Sequence, residues 1–305
     1  MAAKDIKKRR RPAARRGATK KPARRTRARA VPPVVGFIGA GNMARSLAGG
    51  LVANGWPAKR IVLSDPEEAQ RSAVSKGLRV KTYATNADVV ARAQIIVLAV
   101  KPQMLHRVVQ EMATDVQRVR PLVISIAAGV RLDDIQRWLG GNIPIVRAMP
   151  NTPALVGSGA TGLYANALTT EAMRAQAESI LRAVGITVWL GNEGLIDVVT
   201  ALSGSGPAYF FLVMEALERA AIAEGLDASA ARLLTLETAY GAAKMALEGA
   251  EPPATLRVRV TSPGGTTERA LNVLAQGGIE RLFQDAIRAA TQRSQELADM
   301  FGKNT

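Results

Sequence analysis

Directly after an apolar run at residues 34–38, the chain reads Gly39-Ala40-Gly41-Asn42-Met43-Ala44 and then continues in a helical pattern to Ala53. Two glycines and an alanine at that spacing, between a strand and a helix, have the chemistry of a phosphate-holding turn. Gly39 permits the tight turn, Gly41 lets backbone approach a pyrophosphate, and Ala44 allows close helix–strand packing. The helix start then offers N–H donors and the positive end of its dipole to the phosphates. Asp65 lies 26 positions beyond Gly39, just after a second apolar run at 61–63. It can accept from an adenosine ribose, which favours NADH over NADPH, or it can cap the helix that opens at Pro66-Glu67. Arg71 either reaches a 2′-phosphate or is a solvated helix side chain. Lys101, before Pro102 at the end of the 95–100 run, is either a cation for cofactor or catalysis, or a surface lysine.

The elements that must carry these residues follow from apolar periodicity. Short apolar runs at 34–38, 61–63, 95–100, 122–126 and 143–149 alternate with stretches of helical pattern, among them one from Asp65 towards Lys76. That alternation predicts βαβ units and a parallel sheet. Runs at 160–164 and 186–190, with a helix over 171–184, extend the layer. Ligands in such sheets sit at the carboxyl ends of strands, where Ala99-Val100-Lys101-Pro102 and Ala127-Ala128-Gly129 lie. After Gly191 the strands stop. Helices are expected over 209–223, 229–247, 268–274 and 279–300, and their apolar content calls for burial against a second subunit. The predicted class is α/β, with a Rossmann-type dinucleotide-binding domain over 34–192 followed by an all-helical substrate-binding and dimerisation domain over 193–305.

Composition excludes much else. The chain has 305 residues, no cysteine and one histidine, His106. There is no disulfide, no thiolate nucleophile and no cysteine metal site, and a His-dependent triad would have to use His106. No metal is expected. The net charge of +16 is uneven: residues 1–33 hold 14 Lys and Arg against Asp5 alone, while the remainder is close to neutral. Such a segment buries too little to offset its ordering entropy, so a disordered basic tail is expected. It suits weak contact with nucleic acid or another polyanion, a neutral extension, or a targeting segment, though it lacks an amphipathic apolar stripe. No run of about 18 uncharged apolar residues and no signal-peptide core is evident, so the expectation is a cytoplasmic protein that does not engage a membrane.

Six separated strings give the chain a resemblance to one family, pyrroline-5-carboxylate reductase. They are Gly36-Phe37-Ile38-Gly39-Ala40-Gly41-Asn42-Met43, Ala99-Val100-Lys101-Pro102, Ile126-Ala127-Ala128-Gly129-Val130 and Arg147-Ala148-Met149-Pro150-Asn151-Thr152-Pro153. The two narrowest are Leu202-Ser203-Gly204-Ser205-Gly206-Pro207-Ala208-Tyr209 and Val260-Thr261-Ser262-Pro263-Gly264-Gly265-Thr266-Thr267. The resemblance implies reduction of L-1-pyrroline-5-carboxylate to L-proline by NADPH or NADH, in a homodimer or larger homo-oligomer. It implies cofactor contacts at Gly39, Ala40, Gly41, Asn42, Met43, Ser64, Asp65, Asn86, Ala99, Val100, Lys101, Pro102, Ala127, Ala128 and Gly129. It implies substrate contacts at Glu193, Ser262, Gly264, Gly265, Thr266 and Thr267, with Thr267 beside the reacting nitrogen. Two positions depart from the pattern. Asp65-Pro66-Glu67 stands where many relatives carry an Asn-Arg pair that holds NADP, and Val258 stands where relatives commonly carry an acid. A 3-hydroxyacid dehydrogenase shares the layout but would want a catalytic lysine on the 209–223 helix, which has none.

The chemistry asked of these residues is modest. A cyclic imine accepts hydride most easily when its nitrogen is protonated, so no strong protein acid is needed. The site needs a dry slot, an anion hole for the substrate carboxylate and a partner for the ring nitrogen. The 262–267 turn, with two glycines and a following helix start, suits the anion hole. The 203–207 string is either a similar turn or a place of close helix packing.

Overall fold

A computed structural model describes residues 31–303. The expectation of a disordered basic tail concerns residues almost wholly outside that span. Eight strands form one sheet: β1 (Val35–Ile38), β2 (Ile61–Ser64), β3 (Lys81–Tyr83), β4 (Ile95–Leu98), β5 (Leu122–Ser125), β6 (Ile145–Met149), β7 (Gly159–Ala165) and β8 (Gly185–Trp189). Their spatial order is β3-β2-β1-β4-β5-β6-β7-β8. Pairing is parallel from β3 through to β6. One pairing corrects the all-parallel expectation: β7 runs antiparallel to β6, and β8 then runs parallel to β7. The chain reverses through Pro150 and Pro153, where a short 3-10 turn replaces the crossover helix a parallel return needs.

The four central strands are buried on both faces, and alternate residues feed two cores. Phe37, Leu63, Val97 and Ile124 face one core with α1 (Asn42–Ala53), α2 (Glu68–Leu78) and, later in the chain, α6 (Glu171–Leu181). Ile38, Val62, Ile96 and Val123 face the other with α3 (Asn86–Val90), α4 (Pro102–Val119) and α5 (Leu132–Trp138). α3, α5 and β3 are too short to show a period and are absent from the sequence reading.

Beyond β8 every element is helical: α7 (Leu195–Val199), a π-helical turn over Thr200–Gly204, α8 (Gly206–Ala223), α9 (Ala228–Glu248), α10 (Pro253–Arg259), α11 (Thr266–Gln276) and α12 (Ile279–Gly302). Asp227 caps α9. Its carboxylate takes hydrogen bonds from the Ser229 hydroxyl and from the Ser229 and Ala230 amides, which hold its carboxyl below the usual range. Helices α8 and α9 bury little within the chain: Gly206 is the one buried residue of α8 and Ala231 that of α9. Phe210, Phe211, Leu212, Leu233 and Leu234 all stand exposed. The continuous helical run Leu195–Ala223, 29 residues, contains an 18-residue stretch of mean hydropathy 1.4, 22% of it buried, and is long and apolar enough to cross a membrane by length and composition. Counting uncharged residues alone does not flag this run.

Candidate functional site

A cleft of about 660 Å³ opens at the carboxyl ends of β1, β2 and β4, where the strand order reverses. Gly39, Gly41, Ser64, Asp65, Asn86, Ala99, Val100 and Lys101 all line it. Gly39 takes φ +99°, and a Cβ there would lie 2.8 Å from the Ala99 carbonyl oxygen, so only glycine fits between β1 and β4. In front of Gly41 there is open space, the cradle a pyrophosphate backbone would fill. Asn42 and Met43 form the first turn of α1, whose opening amides have no helical partner. Lys101 is the residue before α4, its side chain makes no hydrogen bond or ion pair with the described residues, and Pro102 opens that helix. These residues fit a dinucleotide.

The carboxylate of Asp65 does two jobs. One oxygen accepts from the Ala40 amide at 2.9 Å and the other from the Glu67 amide at 3.0 Å. The helix itself opens at Glu68 without a side-chain cap, so Asp65 makes a turn that leads into it rather than capping it, and the same acid also pins the glycine turn. Arg71 is committed to the Asp65 and Pro66 carbonyls at 2.8 Å each. Arg45 is tied to the Ala40 carbonyl and Gln70. The Ser64 hydroxyl donates to Asn86 at 2.8 Å, joining β2 to the start of α3.

The Ala127, Ala128 and Gly129 turn follows β5 and lies beneath α12. Gly129, at φ +67°, has Leu297 and Phe301 so close that a Cβ would meet them at 3.2–3.4 Å. Arg131 pairs with Asp299 of the same helix at 2.6 Å. Glu193 sits beside this turn: its Oε1 accepts from the Leu132 amide at 2.7 Å and from Arg147 Nη1 at 2.9 Å. Arg147 on β6 is 1% exposed, and its Nη2 lies 3.8 Å from Asp197, which also accepts from the Ser294 hydroxyl at 2.7 Å. A buried guanidinium with two carboxylates and a hydroxyl thus binds β6, α5, α7 and α12 together. In the sequence Arg147 stands only as the first residue of the 147–153 string. Its signal is a charge inside an otherwise apolar strand.

The 262–267 turn is elsewhere in the chain. None of its residues lines the cleft, and among the described residues no hydrogen bond or ion pair joins residues 250–277 to residues 34–192. Gly265 precedes α11 and its amide donates to the Ser262 carbonyl at 3.0 Å. Because α11 starts at Thr266, two residues earlier than expected, Thr267 lies inside the helix and makes no capping bond. Its hydroxyl has no partner among the described residues. Glu268 instead folds back ahead of the helix, where its carboxylate accepts from the Gly264 amide at 2.7 Å. Glu268 is absent from the sequence reading, although an acid at the third helical position is a recognisable cap signal.

Two other features singled out in the sequence are structural here. Gly204 packs on Met149 so tightly that a Cβ would lie 2.6 Å from its methyl, and Asn151 donates to the Ser203 carbonyl at 3.0 Å. The string therefore packs closely at Gly204, while Gly206 has open space before it. His106 stacks at 4.7 Å on Trp138 between α4 and α5, outside the cleft lining.

A family model described as pyrroline-5-carboxylate reductase dimerisation matches residues 193–297. One described as NADP oxidoreductase, coenzyme F420-dependent, matches residues 34–129. The pyrroline-5-carboxylate reductase of Pseudomonas aeruginosa is 50% identical over 271 residues, 89% of this chain and 99% of its own length. That of Vibrio alginolyticus is 41% identical over 88% of this chain and 98% of its own. The solved structure of the Coxiella burnetii enzyme superposes with a TM-score of 0.85 at 45% identity, covering 87% of this chain and 98% of the other. The Plasmodium falciparum enzyme, solved with NADP bound, gives a TM-score of 0.78 at 28% identity over 88% and 99%. The chain belongs to the pyrroline-5-carboxylate reductase family.

Proposed function

We propose that this chain reduces L-1-pyrroline-5-carboxylate to L-proline in the cytoplasm, the last step of proline synthesis, with NADH or NADPH bound at the Gly39 cleft. The observation that carries this reading is the 50% identity to a reductase over nearly its whole length, with the glycine turn and the 262–267 turn both intact. The nicotinamide, when bound, supplies the hydride. The imine carbon takes that hydrogen together with the electron pair of its C–H bond, the C=N π pair moves to nitrogen, and the proton already on nitrogen stays there. The first-turn amides of α11 hold the substrate carboxylate. The Thr267 hydroxyl accepts from the iminium N–H and turns to donate to the product amine without changing its own charge. Glu193, fixed by Arg147, borders the slot.

Assembly completes the site. The apolar faces of α8 and α9 are covered by a second copy, since the module matched over this region is a dimerisation module and the chain itself leaves those faces open. The cleft and the 262–267 turn stand apart within one chain, so the dimer brings one copy's turn to the other's cleft. Residues 1–33 make only weak, salt-sensitive contact with polyanions.

The test is turnover of the purified full chain with pyrroline-5-carboxylate and each reduced nucleotide, following nicotinamide absorbance and proline formation. No proline with either nucleotide overturns the assignment. Mixing a Thr267→Val chain with an inactive Gly41 variant should raise activity in hybrid dimers above that of either chain alone, and no gain places both halves of the site in one copy.

A further inference from the structure

We propose that Glu268 determines how tightly the substrate turn holds a carboxylate, because its own carboxylate already occupies one amide of that turn. This rests on the reading of residues 262–267 as the substrate turn.

Part of the turn's backbone donor set is already spent. Pro263 has no N–H. The Gly264 amide is taken by Glu268 at 2.7 Å, and the Gly265 amide by the Ser262 carbonyl at 3.0 Å. The amides of Thr266, Thr267 and Glu268 remain, as first-turn positions without helical partners, together with the Ser262, Thr266 and Thr267 hydroxyls. An incoming carboxylate therefore finds first-turn amides and hydroxyls together with a fixed negative charge folded back over the same helix start. Glu268 is half-buried, so water screens it only in part. The helix dipole that attracts the substrate anion is already partly neutralised from within. Glu268 holds the Gly264 end of the turn, away from the hydroxyl that meets the iminium, so its charge acts chiefly on the anionic pole of the substrate.

Glu268→Gln separates the charge from the hydrogen bond, because the amide oxygen still accepts from Gly264. The probe is cyclopentanecarboxylate, a ring of the substrate's size that carries the carboxylate and no nitrogen. At low ionic strength its inhibition constant and the KM for pyrroline-5-carboxylate should both fall by about threefold to tenfold in Glu268→Gln, the scale of one partly screened like charge. The KM for nucleotide should stay unchanged. The gap should close at roughly 0.5 M salt, where the Debye length is shorter than the charge separation. A merely structural contact would move the melting temperature and leave this salt-dependent gap absent. An inhibition constant that is equal or higher in the variant overturns the inference while the wild-type chain still turns over. Absence of any turnover in the wild-type chain is instead the failure of the functional reading.

Discussion

The Asp65 carboxylate and the Ala40 amide are joined by a 2.9 Å hydrogen bond, so the acid at the end of β2 directly holds the phosphate turn after β1. Its second oxygen holds the Glu67 amide, which fixes the start of α2 relative to the same turn. A carboxylate with both oxygens committed cannot swing away from the cleft it lines. Beside the turn, Arg45 and Arg71 are spent on backbone carbonyls and Gln70, and Arg107, the arginine that lines the cleft, pairs with Glu111 at 3.7 Å.

NADH should therefore compete well with NADPH. Asp65→Asn should raise the NADPH-to-NADH ratio of kcat/KM by up to about tenfold, since one partly screened like charge is worth roughly 1 kcal/mol. The same change weakens one of two backbone anchors and should lower stability by about 1 kcal/mol. Steady-state kinetics with both nucleotides checks this, and strong NADPH selectivity in the unmodified chain contradicts it.

Arg147 is held between the carboxylates of Glu193 and Asp197. Arg147→Met should destabilise the fold by about 3–5 kcal/mol, because Glu193 and Asp197 would be left as largely buried anions without their cation. Combining Arg147→Met with Glu193→Gln and Asp197→Asn removes those anions as well and should recover much of that loss. Denaturant unfolding of the single and triple variants measures it, and a single variant within about 1 kcal/mol of wild type would show that the carboxylates find other partners.

Local features of the site are legible in the chain. Gly39, Gly41 and Asp65 announce themselves because turn, cradle and strand end are set by neighbours within a few residues. Arg147 does not, because its partners Glu193 and Asp197 come from 46 and 50 positions away and only the fold brings them together. The seat of Gly129 under Leu297 is equally hidden, since nothing local distinguishes a glycine needed for its turn from one needed for a neighbour. The antiparallel β7 is invisible for another reason: two prolines after β6 mark a break without stating its direction.

Residues 1–33 carry 14 bases and one acid, against a nearly neutral remainder. Their deletion should leave kcat/KM within about twofold and abolish retention on a polyanion column at low salt. Loss of turnover in a truncated chain that still melts cooperatively would make the segment part of the enzyme.

Thr267 has a free hydroxyl one residue into α11, and the side chain that folds back ahead of that helix is Glu268. The two possible roles of the side chain therefore separate cleanly. Thr267→Val keeps the branched shape and removes the oxygen. Because no capping bond is lost, the melting temperature should change little, in contrast to the loss of about 1 kcal/mol that a cap would give. Because one hydrogen bond to a charged nitrogen is lost, kcat/KM should fall by roughly 10- to 150-fold, the equivalent of about 1.5–3 kcal/mol. Thr267→Ser retains the oxygen and should recover most of the rate. Full activity in the valine variant would remove the hydroxyl from the reaction and leave the first-turn amides and the Ser262 and Thr266 hydroxyls as the whole contribution of this turn.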